Sequence, residues 1–77
     1  MSKRKSEKIH ALRRALQRYR VSLTSDEYED LCKQVLAGES KFIKKISNTR
    51  TMHIVSYKKI NMRCIYDKKR ACIVTFL

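Results

Sequence analysis

The chain has one glycine, no proline and no tryptophan. With Gly38 as its only glycine, no glycine-rich phosphate loop is present. Acidic side chains are scarce: seven Asp and Glu stand against nineteen Lys and Arg, a formal charge of +12. No HExxH, no GxSxG and no paired catalytic carboxylates occur. The three cysteines, Cys32, Cys64 and Cys72, are widely spaced and form no CxxC. A disulfide framework and a zinc site are thereby excluded, and the three read as reduced, buried small hydrophobes in a cytoplasmic protein. The basic start, Met1 to Lys5, is followed by no apolar stretch, so no secretory signal is expected. The longest apolar run, Ala71 to Leu77, has a strand's length and contains Thr75. A bilayer crossing needs about 20 apolar residues. No metal and no cofactor are expected.

What is present suits one small domain. The length is 77 residues and 43% are hydrophobic, enough for a single core and too many for a disordered basic tail. Such a chain buries roughly 60% of its unfolded surface, so its stability is marginal. Charge is segmented. Residues 1–20 carry eight basic and one acidic side chain, residues 21–40 one basic and five acidic, residues 41–77 ten basic and one acidic. The cationic excess therefore sits on the first element and on the C-terminal half.

The first helix is expected from about Ser6 to Tyr19, with Ser6 as N-cap. Ile9, Leu12, Leu16 and Tyr19 recur at helical spacing, and this stripe is expected to face the core. It lacks Trp and Phe, which argues against a membrane-surface helix. A second helix is expected over about 25–37. Thr24 to Glu27 forms a capping box, Leu23 and Tyr28 have the spacing of a hydrophobic staple, and Gly38 supplies the left-handed C-cap. The carboxylates Asp26, Glu27, Glu29 and Asp30 favour the positive helix start rather than a metal.

After Gly38 the period becomes two. Strands are expected at 41–46, 50–57, 61–66 and 71–77, with turns at Lys58-Lys59 and at Asp67 to Arg70. Two helices followed by hairpin-linked strands give an α+β fold, with two N-terminal helices on one face of a three- to four-stranded antiparallel sheet. A two-residue loop at Lys58-Lys59 pairs Val55 with Met62 and His53 with Cys64. One at Lys68-Lys69 pairs Tyr66 with Ala71, Cys64 with Ile73 and Met62 with Thr75. Alternation then places Thr51, His53, Val55, Tyr57, Met62, Cys64, Tyr66, Ile73 and Thr75 on an open face. Met52, Ile54, Ile65, Cys72, Val74 and Phe76, with Arg63, are expected beneath the helices.

A basic sheet face with aromatic side chains suits a nucleic-acid strand: cations meet phosphates and release counterions, and rings stack on bases. Lys58, Lys59, Lys68, Lys69 and Arg70 supply charge, Tyr57 and Tyr66 supply rings, and Arg13 and Arg14 extend the basic surface onto the first helix. His53 is the expected acid–base group. Cationic neighbours bias it toward the neutral form, which would take the proton of an RNA 2′-hydroxyl. Arg50 or Arg63 would stabilise charge on the phosphoryl oxygens, and Thr75 and Tyr66 would hydrogen-bond the phosphate. His10, amid basic residues of the first helix, reads as a solvated surface residue.

The segments Arg50 to Val55, Cys64-Ile65-Tyr66-Asp67-Lys68-Lys69 and Ile73 to Leu77 resemble the strand ladder of small ribonuclease toxins of the RelE-like and colicin-type group. The resemblance implies N-terminal helices followed by an antiparallel sheet, with His, Arg or Lys, Tyr and Ser or Thr acting on RNA from the open sheet face. It carries over to His53, Arg50, Tyr66 and Thr75, with Arg63 beside them. The leading reading is a small basic toxin-like protein acting on RNA, a metal-independent endoribonuclease. The alternatives are a non-catalytic nucleic-acid- or ribosome-binding module, or a phage or mobile-element protein that docks on an acidic protein. A toxic protein would also have an acidic partner such as an antitoxin, received at the edge strand Lys41–Ile46.

Overall fold

A computed structural model describes residues 3–77, with side chains from residue 7 onward. Two N-terminal helices, α1 (Lys3–Tyr19) and α2 (Ser25–Leu36), precede four strands: β1 (Lys41–Lys45), β2 (Arg50–Tyr57), β3 (Ile60–Asp67) and β4 (Cys72–Phe76). The strands form one antiparallel sheet in the order β1-β2-β3-β4, an α+β arrangement. α1 begins ahead of the expected cap, so Ser6 lies within the helix; the side chains of Ser6 and of the basic start lie outside the described residues.

α2 forms as its sequence demands. The Thr24 side chain accepts from the Glu27 N–H and Glu27 accepts from the Thr24 N–H, at 3.1 and 2.9 Å. Past Ala37 the chain reverses through Gly38 at φ 77°, with Gly38 N–H bonded to Val35 and Glu39 N–H to Gln34. Those two bonds make a Schellman cap, and its left-handed residue is the one glycine. Tyr28, Leu31, Cys32 and Val35 are buried from this helix.

α1 behaves differently. Only half of the expected stripe turns inward: Leu12 and Tyr19 are partly buried against the core, whereas Ile9 is 47% and Leu16 53% exposed, and Ala11 and Ala15 are fully buried. α1 lies along β4, its most extensive contact with the sheet. Side chains as short as alanine allow that close approach, which larger ones on the Ile9 side would block.

The β2–β3 pairing is as expected, with Val55 opposite Met62 and His53 opposite Cys64. The expected sorting of faces is inverted on these strands. Thr51, Val55, Met62, Cys64 and Tyr66 are buried in the core with α2, whereas Met52, Ile54 and Ile65 are half-buried and Arg63 is exposed. Both faces carry apolar residues, so alternation alone does not choose between them. The polar members of the buried set are satisfied internally: Thr51 Oγ1 lies 2.7 Å from His53 Nε2.

The last hairpin also departs from the expected register. Tyr66 pairs with Ile73, Ile65 with Thr75 and Cys64 with Phe76. The connection is longer than a two-residue loop: Asp67 accepts from the N–H groups of Lys69 and Arg70, and Ala71 adopts φ 54°. One extra residue, Val74, then stands in β4 between the pairs Tyr66–Ile73 and Ile65–Thr75. This bulge transfers Thr75 to the face that carries Ile65 and Met52. β4 consequently buries Cys72, Ile73, Val74 and Phe76 together.

Candidate functional site

The sheet divides the five expected catalytic side chains into two groups. His53 and Tyr66 lie on the α2 side, with ring centroids 6.3 Å apart. Arg50, Arg63 and Thr75 belong to the outer face, because directly opposed residues share a face and these oppose Asp67, Ile54 and Ile65.

On the α2 side, His53 sits in a cavity of about 470 Å³ lined by Val35, Leu36, Phe42, Thr51, His53, Tyr66 and Lys68. Both ring nitrogens meet hydroxyls: Nε2 that of Thr51, and Nδ1 that of Ser40 at 3.0 Å. Phe42 meets the ring edge-on at 5.5 Å. Burial, and then the Lys68 ammonium, lower the His53 pKa from its ordinary value. Both causes favour the neutral imidazole, with desolvation rather than neighbouring charge as the larger one. A half-buried imidazole held between two hydroxyls and walled by Phe42, Val35 and Leu36 suits an apolar guest better than a polyanion.

The outer face gathers different chemistry. Thr75 Oγ1 lies 3.2 Å from Nε2 of His10, an exposed residue of α1. One turn earlier on α1, Glu7 pairs with Arg70 and lies 3.9 Å from Arg50 Nη2. Arg50 Nε also meets Asp67 at 3.3 Å, so Arg50 is fixed between two carboxylates. Arg63 stands diagonal to Thr75 on the adjacent strand, about 7–8 Å away at the backbone. Its N–H donates to the Tyr19 hydroxyl, which in turn donates to the Leu77 carbonyl at 2.6 Å, fixing the far end of α1 against β3 and β4. Arg14 follows His10 by one helical turn and is half-buried, with its Nε buried and unpartnered among the described residues. On the β1 side of this face Lys41 opposes Ile54 and Lys44 opposes Met52, both lysines exposed.

The residues expected to bind nucleic acid separate likewise. Tyr57 is engaged: its hydroxyl donates to Glu27 and the Lys58 ammonium lies 5.3 Å from its ring centroid. The Tyr57 bond, with Thr24 behind it, lowers the Glu27 pKa, and Glu27 also pairs with Lys58 at 3.8 Å. Lys59 and Lys69 are exposed, Lys68 lines the His53 cavity, and Arg70 pairs with Glu7. Arg13 is exposed on α1.

His10, expected as a solvated surface residue, is exposed and also meets Thr75. The signal for that meeting was its spacing from Glu7 and Arg14 on one helical side, legible only once α1 is known to run along β4. Among the described residues no group of three His, Cys, Asp or Glu is placed to hold a metal ion, and no helix is long and apolar enough to cross a membrane. The three cysteines are buried and form no disulfide with one another. Comparison with protein-family models, with curated proteins and with solved structures finds no match to this chain.

Proposed function

We propose that the chain binds RNA across the outer face of its sheet and cleaves it without a metal ion, with His10 in the role first expected of His53. The observation that carries this reading is the meeting of His10 with Thr75 at 3.2 Å on the face that also bears Arg63 and Arg50. RNA supplies its own nucleophile, so the chemistry asks little of a small protein. The exposed His10 Nε2 exchanges the Thr75 hydroxyl for a 2′-hydroxyl and takes its proton. The 2′-oxygen attacks phosphorus as the P–O5′ bond breaks, and the leaving 5′-oxygen takes a proton from solvent water, giving a 2′,3′-cyclic phosphate and a 5′-hydroxyl. The freed Thr75 hydroxyl donates to a non-bridging oxygen, and Arg63 offsets the charge that develops there. Lys41 and Lys44 meet flanking phosphates. The excess of nineteen cationic over seven acidic side chains favours a polyanionic partner.

Total RNA incubated in EDTA with the parent, His10→Ala and His53→Ala is the test. Removal of a general base costs about 10²–10⁴-fold in rate. Cleavage is expected to fall by that order in His10→Ala and to persist in His53→Ala. The reverse ranking would return catalysis to the inner cavity. Intact RNA throughout, with salt-sensitive binding weakened by Arg63→Ala, would make the protein a binding module.

A further inference from the structure

The two edges of the sheet are treated in opposite ways. At β4 the outward backbone groups of Ile73 are consumed: its carbonyl accepts from the Tyr28 hydroxyl at 2.5 Å, and its N–H meets Cys32 Sγ at 3.4 Å. At β1 the other edge has a strand on one side only, and all five of its residues are exposed. An uncovered edge is a template for another strand. Next to it lie exposed apolar groups, Leu36 at 74% and Phe42 at 57%, at the mouth of the His53 cavity.

We infer that β1 is a docking edge for an extended acidic segment of another protein, which adds a fifth strand to the sheet. The chemistry of the occupant follows from the two sides of β1. Phe42 opposes His53 and shares the cavity side, so the neighbouring partner residue on that side is apolar and enters between Leu36 and Phe42. Lys41 and Lys44 both stand on the outer side because Ile43 is bulged between Phe42 and Lys44, so alternate partner residues there are Asp or Glu when the new strand spans the same bulge. The recognised pattern is therefore acidic and apolar in alternation, with main-chain hydrogen bonds to β1 supplying affinity. A second copy of this chain does not fit, because Lys41, Lys44 and Lys45 would meet their own counterparts across the new pair. This docking does not rest on any action on RNA, although an acidic segment at β1 would compete with flanking phosphates for Lys41 and Lys44.

The test uses the whole chain and an amidated peptide of about seven residues in which Glu and Leu alternate. A control peptide has the same composition with its glutamates and leucines in separate blocks. Binding is read by fluorescence polarisation, and its location by amide hydrogen exchange. The alternating peptide is expected to protect the Lys41–Lys45 amides and to bind at least tenfold more tightly than the blocked one. Phe42→Asp and Lys44→Glu should each weaken it tenfold or more. Both positions are exposed on an edge strand, and an unchanged circular dichroism spectrum confirms that each variant folds. Equal affinity for both peptides, or exchange effects centred on Arg63 and Met52, would overturn the inference. So would protection of the β1 amides by self-association with no peptide present.

Discussion

The closed edge of β4 makes Tyr28→Phe an informative perturbation. Tyr28 is fully buried, and its hydroxyl donates at 2.5 Å to the carbonyl of Ile73, itself fully buried. Burial pushes the phenol pKa far above its ordinary range, so the hydroxyl remains a donor at any ordinary pH. Phenylalanine keeps the ring and opens no cavity beyond one oxygen. What is lost is the partner of a buried carbonyl, and that costs about 1–3 kcal/mol. In a domain of this size each kcal/mol moves Tm by about 4–8 °C, so a central cost of about 2 kcal/mol lowers Tm by about 8–16 °C. Thermal and urea unfolding followed by circular dichroism measure it, with a fall in the urea midpoint at unchanged m-value. Tyr19→Phe is the internal comparison: its hydroxyl bonds Leu77 in a solvent-exposed setting, so water replaces it and the loss is smaller. A Tyr28→Phe midpoint within about 2 °C of the parent would refute the claim that this hydroxyl closes the edge.

Three further outcomes follow from local chemistry. Lys58 and Lys59 form the two-residue β2–β3 turn at φ 46° and 69°, a conformation that costs an ordinary residue about 1–2 kcal/mol; Lys58→Asn with Lys59→Gly should recover about 1 kcal/mol and raise Tm by about 4–8 °C. The His53 pKa is lowered in the folded state, so below its ordinary 6.5 the unfolded chain binds the proton first and stability falls with pH; denaturant titrations between pH 7 and 5 should show this slope in the parent and a flatter one in His53→Asn. Burial pushes the Cys64 thiol up to about 12, so the stability it contributes is complete below the unfolded thiol value near 9 and is lost as pH rises through 12; Cys64→Ala should show a shallower alkaline decline in the same titration.

The parts of the molecule legible in the sequence are those fixed by neighbours along the chain. The Thr24–Glu27 capping box, the glycine after α2 and the tight turn at Lys58-Lys59 are local devices, and each is present. The parts that escaped are decided by distant partners. Helical spacing pointed to Ile9 and Leu16, but contact along a strand favoured Ala11 and Ala15, whose small size carries no hydropathy signal. The sheet has apolar residues on both faces, so the helix-covered side was chosen by packing with Tyr28, Leu31 and Val35 rather than by alternation. The candidate site suffered most. Arg50, Arg63 and Thr75 were legible as residue types suited to a phosphate, while the imidazole that meets Thr75 comes from a helix 65 residues earlier in sequence.

The extra residue in β4 acts as a change of reading frame within the sheet. Ahead of Val74 the strand places Ile73 in phase with Tyr66; beyond it, Thr75 is in phase with Ile65 and Met52. A regular ladder of the same residues would pair Ile65 with Val74 and Cys64 with Thr75; the bulge instead moves the threonine from the inner column to the outer one without altering any side chain. Deleting Val74 would remove the bulge and leave Thr75 directly after Ile73, still opposite Ile65 and on the His10 side. The distance of Thr75 from the preceding loop therefore does not specify its side of the sheet; the count of residues between paired positions does. The imidazole–hydroxyl pair therefore depends on the bulge being kept rather than smoothed into a regular ladder, with every candidate residue still in place.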